Sequence, residues 1–202
     1  LKHSRAFTII ELAIVITVIG IILGAIAARS GSLIGNAEST DTIALINDLS
    51  AAAISFKSKY HYLPGDMPLT GDEIPNVSAA CNIVTSTLLI GNGKLDTATE
   101  VGCATEHLVR AGMIKGTING ISTKSNKTDQ PNVFITARRD ASSLPTTVLN
   151  EIQINNLLCD EARTIDRKMD DNDFSTGKIV ASVATCEPNG INDPVPIIDV
   201  AI

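Results

Sequence analysis

From Phe7 to Ala28 the chain reads FTIIELAIVITVIGIILGAIAA, an apolar run with one ionisable side chain, Glu11. At about 1.5 Å rise per residue, a helix of this length crosses a hydrocarbon layer about 30 Å thick. A buried core helix fits poorly, because such helices rarely stay purely apolar for more than about 14 residues. Past this run the helical period persists in a different register. Leu45, Leu49, Ala53, Phe56 and Tyr60 form a stripe opposite Asp41, Asn47, Asp48 and Lys57, the pattern of a helix with one face on a core. Joined, the two halves predict one helix from Phe7 to Tyr60, about 80 Å long at the standard rise. Gly31 and Gly35 weaken its middle by about 1 kcal/mol each relative to Ala, so a bend or local melting is expected there. In KYHYLPGDMP (59–68) Pro64 cannot continue the ladder and ends the helix. Tyr60, Tyr62 and Leu63 are expected to pack on a sheet, and His61 to be an exposed loop histidine.

The remainder is patterned more weakly. Glu100 to Gly116 (EVGCATEHLVRAGMIKG) suits a short helix with a glycine stop. Val133 to Thr136 and Lys178 to Val183 suit strands by β-branched content, and Leu157 to Met169 suits a helix. The tail from Glu187, with Pro188, Pro194 and Pro196, reads as loop or edge strand. Together these predict an α+β fold: a long N-terminal helix, its first half transmembrane, packed on a small, mostly antiparallel sheet. The divisions expected are residues 1–6 as leader, 7–28 as membrane or filament-core helix, 29–60 as the amphipathic half, and 61–202 as the globular domain.

Charge narrows the partners. Residues 1–60 carry five basic and four acidic side chains, whereas the whole chain has a net charge of −6, so residues 61–202 hold −7. That surface repels phosphate backbones and makes nucleic acid a poor partner, Arg138 and Arg139 being one local basic pair. Lys2 and Arg5 before the apolar run keep the short end in the cytoplasm and the rest outside. All four cysteines, Cys81, Cys103, Cys159 and Cys186, fall on that outer side. An even count in an oxidising compartment predicts two disulfides, most simply between sequence neighbours, although four cysteines allow three connectivities. A zinc site is disfavoured: there is no CxxC, and Cys103 with His107 is a single CxxxH pair.

Glu11 decides among the jobs open to the N-terminal segment. A charged side chain in mid-bilayer costs on the order of 3 kcal/mol, so a partner is expected. A cut between Ala6 and Phe7 would place a new α-amine four residues away on the same helix. That amine, charged below a pKa of about 8, would neutralise Glu11 of a neighbouring helix and set axial register. An ordinary secretory signal cleaved near Ala27, releasing a soluble periplasmic protein, is the alternative. It accounts for Ala25, Ile26 and Ala27 as an A-x-A site, but not for the length of the run or for Glu11.

Arg5, Ala6, then FTIIEL (7–12) and the unbroken aliphatic helix resemble the signal of type IV prepilins and type II secretion pseudopilins. In that family prepilin peptidase cuts before a Phe and methylates the new N-terminus, leaving a Glu at the fifth mature position. The resemblance therefore implies Ala6 as the last leader residue, Phe7 as the methylated N-terminus and Glu11 as the assembly glutamate. Where the family favours Gly before the cut, this chain has Ala6. KYHYLPGDM, the HL..AG ending of 107–112 and IDRKMDDNDFSTG (165–177) resemble segments of a subset of pseudopilin-like proteins.

The resemblance implies a structural filament subunit, either of a type IV pilus or of a secretion pseudopilus. Its partners would be other pilin subunits, prepilin peptidase, an inner-membrane assembly platform and membrane lipid. The globular domain would lie in the periplasm. Catalysis is not expected: GxSxG, HExxH and the phosphate-binding GxxxxGK are absent, and three histidines offer no assembled triad. No cofactor is expected either. Some pseudopilins bind calcium on an acidic loop, but here Asp170, Asp171 and Asp173 fail the EF-hand pattern, with Thr176 where Gly belongs. A solvated acidic turn is the reading preferred.

Overall fold

The aliphatic N-terminal run and the striped segment after it fold as one helix, α1 (Ile9–Tyr60), in a computed structural model of the chain. The structure describes residues 8–69, 73–82, 90–115, 121–122, 132–182 and 194–202; for 27–36, 121–122, 132 and 194–196 it describes the backbone alone. The helix is unbroken through Gly31 and Gly35. The chain divides into two compact units, residues 1–37 and 38–202.

In the first unit, Ile9–Ile26 is long and apolar enough to cross a membrane, with a mean hydropathy of 2.8. All of its large aliphatic side chains are exposed, Ile9 by 90% and Val18 by 49%. A helix apolar all round, with nothing of its own chain covering it, belongs in lipid or among other helices.

In the second unit the predicted stripe is the buried face. Leu49, Ala53 and Phe56 are in the core, joined by Ile46 and Ala52, while Leu45 and Tyr60 are half-buried and Asp41, Asn47, Asp48 and Lys57 point outward. The helix ends at Tyr60, before Pro64 is reached. His61 takes the left-handed conformation (φ 65°) and its N–H bonds Lys57 O at 2.9 Å, closing the last turn as a left-handed cap does. His61 is exposed, as expected. Leu63 is buried, but Tyr62 turns to solvent, its ring lying beside Gly91.

After α2 (Ala98–Arg110) come the strands β1 (Ile121–Ser122), β2 (Asn132–Ala137) and β3 (Asn150–Leu158). Then follow α3 (Cys159–Met169), β4 (Ile179–Ala181) and β5 (Pro194–Ala201). The five strands form an antiparallel sheet in the order β1-β2-β3-β5-β4, so the fold is α+β as predicted. Ile152 and Ile154 of β3, Val133 and Ile135 of β2 and Ile198 and Val200 of β5 supply the sheet's share of the core, to which Phe56 and Leu49 of α1 also belong.

Further expectations change. The helix expected up to Gly116 ends at Arg110, followed by Gly112 at φ 70°, and Gly116 lies outside the described residues. Leu157 and Leu158 finish β3, so the helix begins at Cys159. The proline-rich tail is an inner strand, paired with both β3 and β4. Its prolines are tolerated because β4 reaches only Ile198 to Val200, leaving Pro194 and Pro196 with a single neighbouring strand. In the β3–β5 register Pro196, which has no N–H, falls opposite Asn156, a residue with φ 61°.

Candidate functional site

At the start of α1, Thr8 and Glu11 bind each other reciprocally. Glu11 Oε2 accepts from Thr8 N and Thr8 Oγ1, both at 2.9 Å, and Thr8 Oγ1 accepts from Glu11 N at 3.3 Å. This is a capping box, in which Thr and Glu three residues apart satisfy backbone N–H groups that the first helical turn leaves open. The signal T-x-x-E was present in the sequence, yet Thr8 was not singled out. Oε1 of Glu11 takes no hydrogen bond among the described residues. Ala6 and Phe7, the expected cleavage pair, lie outside the described residues.

The globular unit shows how its first loop is anchored. Cys81 and Cys103 form a disulfide with their Cα atoms 5.3 Å apart, as expected between neighbours. Cys159 is also disulfide-bonded, and Cys186 lies outside the described residues. Around the first bridge, His107 is wholly buried: Gly65 N donates to its Nδ1 at 3.0 Å, so Nε2 carries the proton and donates to Cys81 O at 3.2 Å. Burial holds the His107 pKa below the ordinary imidazole value. Glu106 accepts from Ser78 N and Ser78 Oγ. The one CxxxH pair in the sequence is therefore a structural clamp, its cysteine oxidised and its imidazole spent on backbone.

Asp66, of the PGDM turn, is buried and accepts from Gly91 N and, at 2.7 Å, from Gly93 N. It ties the end of α1 to the GNGKLD turn (91–96), whose Asn92 Oδ1 and Asp96 Oδ2 accept hydrogen bonds from within the turn itself. Burial raises the Asp66 pKa against the opposing effect of these amides. A second capping box, Thr97 with Glu100, opens α2.

On the side of β3 away from Ile152 and Ile154, Glu151 and Asp199 are buried beneath Arg139, which pairs with both. Arg138 gives its guanidinium to Leu144 O and Ser142 O. The local basic pair noted in the sequence is thus committed to internal contacts. Burial, and next the negative Asp199, push the Glu151 pKa up to about 7.

The acidic turn after α3 is built by its own carboxylates. Asp170 Oδ2 accepts from Lys178 N and, at 2.7 Å, from Ile179 N; Asp171 accepts from Asp173 N and Thr176 Oγ1; Asp173 accepts from Ser175 N. Asp171 and Asp173 are exposed, as a solvated turn requires. Asp166, one turn back on α3, was missed by the sequence reading. It is buried, and burial together with Asp171, Asp170 and Asp173 pushes its pKa up to about 6.

Residues 1–27 match the family model for the prokaryotic N-terminal methylation motif, the signal of type IV pilins and pseudopilins. Among the curated proteins and the solved structures nothing matches the chain. The motif takes in the apolar span Ile9–Ile26 and supports a type IV pilin-like substrate of prepilin peptidase. The motif points to a structural protein that assembles with other pilin subunits, and with the apolar helix it fits a membrane-anchored protein of the cell envelope.

Proposed function

We propose that the protein is a structural subunit of a type IV pilus or type II secretion pseudopilus, held in the inner membrane by α1 with residues 61–202 in the periplasm. The observation that carries this reading is the methylation motif over residues 1–27, whose apolar span Ile9–Ile26 is exposed along its length. Prepilin peptidase hydrolyses the Ala6–Phe7 bond and methylates the freed Phe7 amine. Subunits then stack through α1 in a head-to-tail interface that does not close, which yields a filament. Glu11, already satisfied on Oε2 by Thr8, offers Oε1 to the N-terminal amine of a neighbouring subunit. The pairing removes two charges from the apolar environment together and fixes axial register. Energy for extraction comes from a separate cytoplasmic ATPase.

The test is the mature N-terminus of the membrane-associated protein, read by mass spectrometry. The expected product begins at Phe7 with one added methyl group. A start near Ala28 would instead identify a signal-peptidase product released to the periplasm and overturn the filament reading.

A further inference from the structure

We propose that the connection from β2 to β3, residues 138–149, is a proton-dependent strap: Glu151 and Asp199 share one proton beneath Arg139, and loss of that proton unlatches the connection from the sheet. Arg139 lies near the start of the connection, and its side chain crosses β3 to reach β5. Its Nε stands 3.5 Å from Glu151 Oε1 and 3.2 Å from Asp199 Oδ1, and its Nη2 pairs with Asp199 Oδ2. Its backbone N–H donates to Glu151 Oε1 at 3.3 Å. Both acids are buried, Glu151 at 0% and Asp199 at 1% exposure.

Charge at this site balances only if one acid is neutral. One guanidinium faces two buried carboxyl groups, and like charges sharing a site out of water resist ionising together. Arg139 engages both oxygens of Asp199, which makes Asp199 the carboxylate and leaves Glu151 as the acid. Glu151 Oε2 is buried without a hydrogen-bond partner, although the two carboxyl groups lie within hydrogen-bonding reach of one another. A proton on Oε2 turns that orphan acceptor into a donor to Asp199. The other described groups around the pair are neutral, engaged elsewhere or exposed. Thr136 of β2 and Ala201 of β5 stand opposite Glu151, and Val180 of β4 stands opposite Asp199. Gln153 donates to Asn155 Oδ1, and the Arg138 guanidinium is held by Leu144 O and Ser142 O. Asp140 and Lys178 are exposed.

Among the described residues, the hydrogen bonds and ion pairs that join this connection to the strands all come from Arg139. The others are internal to it: Arg138 N to Leu149 O, Ser142 N to Arg139 O, Leu144 N to Ser142 Oγ and Val148 N to Pro145 O. Leu144 is buried but stands outside the main hydrophobic core. With the shared proton gone, two negative charges lie under one guanidinium, and water relieves them only if the strap lifts. The inference uses the globular unit alone, so its failure would leave the filament reading untouched.

The test follows amide hydrogen exchange of peptides from 138–149 in the full chain in detergent, at about pH 5 and about pH 7.5. Wild type is compared with Glu151→Gln, whose amide donates to Asp199 at either pH as the protonated acid does. Taking the ratio of the two chains cancels the intrinsic pH dependence of exchange. The ratio of wild-type to variant rates should rise at least about tenfold between the two pH values. At the higher pH, wild-type protection of 138–149 should fall at least about tenfold below that of α2, because the strap lifts from a domain that stays folded. Asp199→Asn removes the second charge and should also give a rising ratio, which serves if Glu151→Gln does not fold. Infrared spectra at about pH 5.5 should show a protonated carboxyl band that Glu151→Gln lacks. A ratio constant with pH, protection equal to that of α2, or a band unchanged by Glu151→Gln would each overturn the strap.

Discussion

Glu151 shows how a single residue can carry information that a hydropathy pattern hides. Its side chain, with that of Asp199, lies under Arg139, and one guanidinium serves two carboxyl groups. With its pKa pushed up to about 7 from an ordinary 4.5, Glu151 keeps a proton in the folded chain that it loses when unfolded. Between those values the folded state binds more protons, so this residue's contribution to stability is full below about 4.5 and is lost as pH rises through about 7. His107 works in the opposite sense: its depressed pKa costs stability as pH falls below the ordinary 6.5. The pH dependence of the wild type alone therefore mixes the two. We expect the stability of Glu151→Gln, measured as a urea midpoint relative to wild type, to rise as pH goes from about 5 to about 8. A constant difference across that range would show that Glu151 titrates as an exposed glutamate. Thr8 is a second case. Thr8→Ala removes the oxygen that caps α1 and one donor to Glu11, and should cost about 1 kcal/mol of helix stability, read as fraying of the first turn by amide hydrogen exchange. Glu11 was legible because a charge in an apolar run is conspicuous; Thr8 was not, because a threonine there fits the run without remark.

Among the elements, legibility followed burial on one face or two. The second half of α1 was readable because it presents a clean apolar period to the core, and β2 because of its β-branched content. β3 was missed although it is the central strand: Ile152 and Ile154 alternate with Glu151, Gln153 and Asn155, and the polar face is largely covered as well. A strand with polar residues on a covered face gives half of the usual signal, and that face is tolerated because Arg139 pairs with Glu151 and Gln153 donates to Asn155 Oδ1. The loop between α1 and α2 is held by elements that sequence showed separately: the PGDM turn, the cysteine pair and the capped α2. Among its described glycines the tightest is Gly65, with φ 91°, where a Cβ would meet Glu100 O at 2.2 Å. Because neither the backbone angle nor the space admits a side chain, Gly65→Ala should destabilise the domain by about 2 to 4 kcal/mol. Removing the bridge across 22 residues with Cys81→Ser and Cys103→Ser should cost about 3 kcal/mol. Thermal unfolding of each variant under oxidising conditions checks both figures. A neutral Gly65→Ala would mean that the PGDM turn sits farther from α2 than described.

For the whole molecule, the division into residues 1–37 and 38–202 separates two solvents within one chain. Among the described residues every member of the hydrophobic core falls at or beyond Ile46, in the second unit, whereas the long bare aliphatic surface belongs to Ile9–Ile26. Stability and assembly should therefore be separable. A fragment covering residues 38–202 retains the core, the sheet and the Cys81–Cys103 bridge, and should fold as a soluble monomer with an unfolding midpoint within a few degrees of the full chain in detergent. The complementary change, Glu11→Ala in the full chain, leaves that core untouched and makes the apolar segment more apolar, so membrane insertion and the unfolding midpoint should be retained. What it removes is the one carboxylate of Ile9–Ile26 able to meet a neighbour's amine. Cell fractionation with shearing should accordingly find this variant in the membrane and absent from filaments, while the wild type appears in both. Wild-type amounts in the sheared fraction would deny Glu11 its assembly role while leaving the methylation signal intact. Loss from the membrane fraction would show that the same residue acts earlier, at insertion.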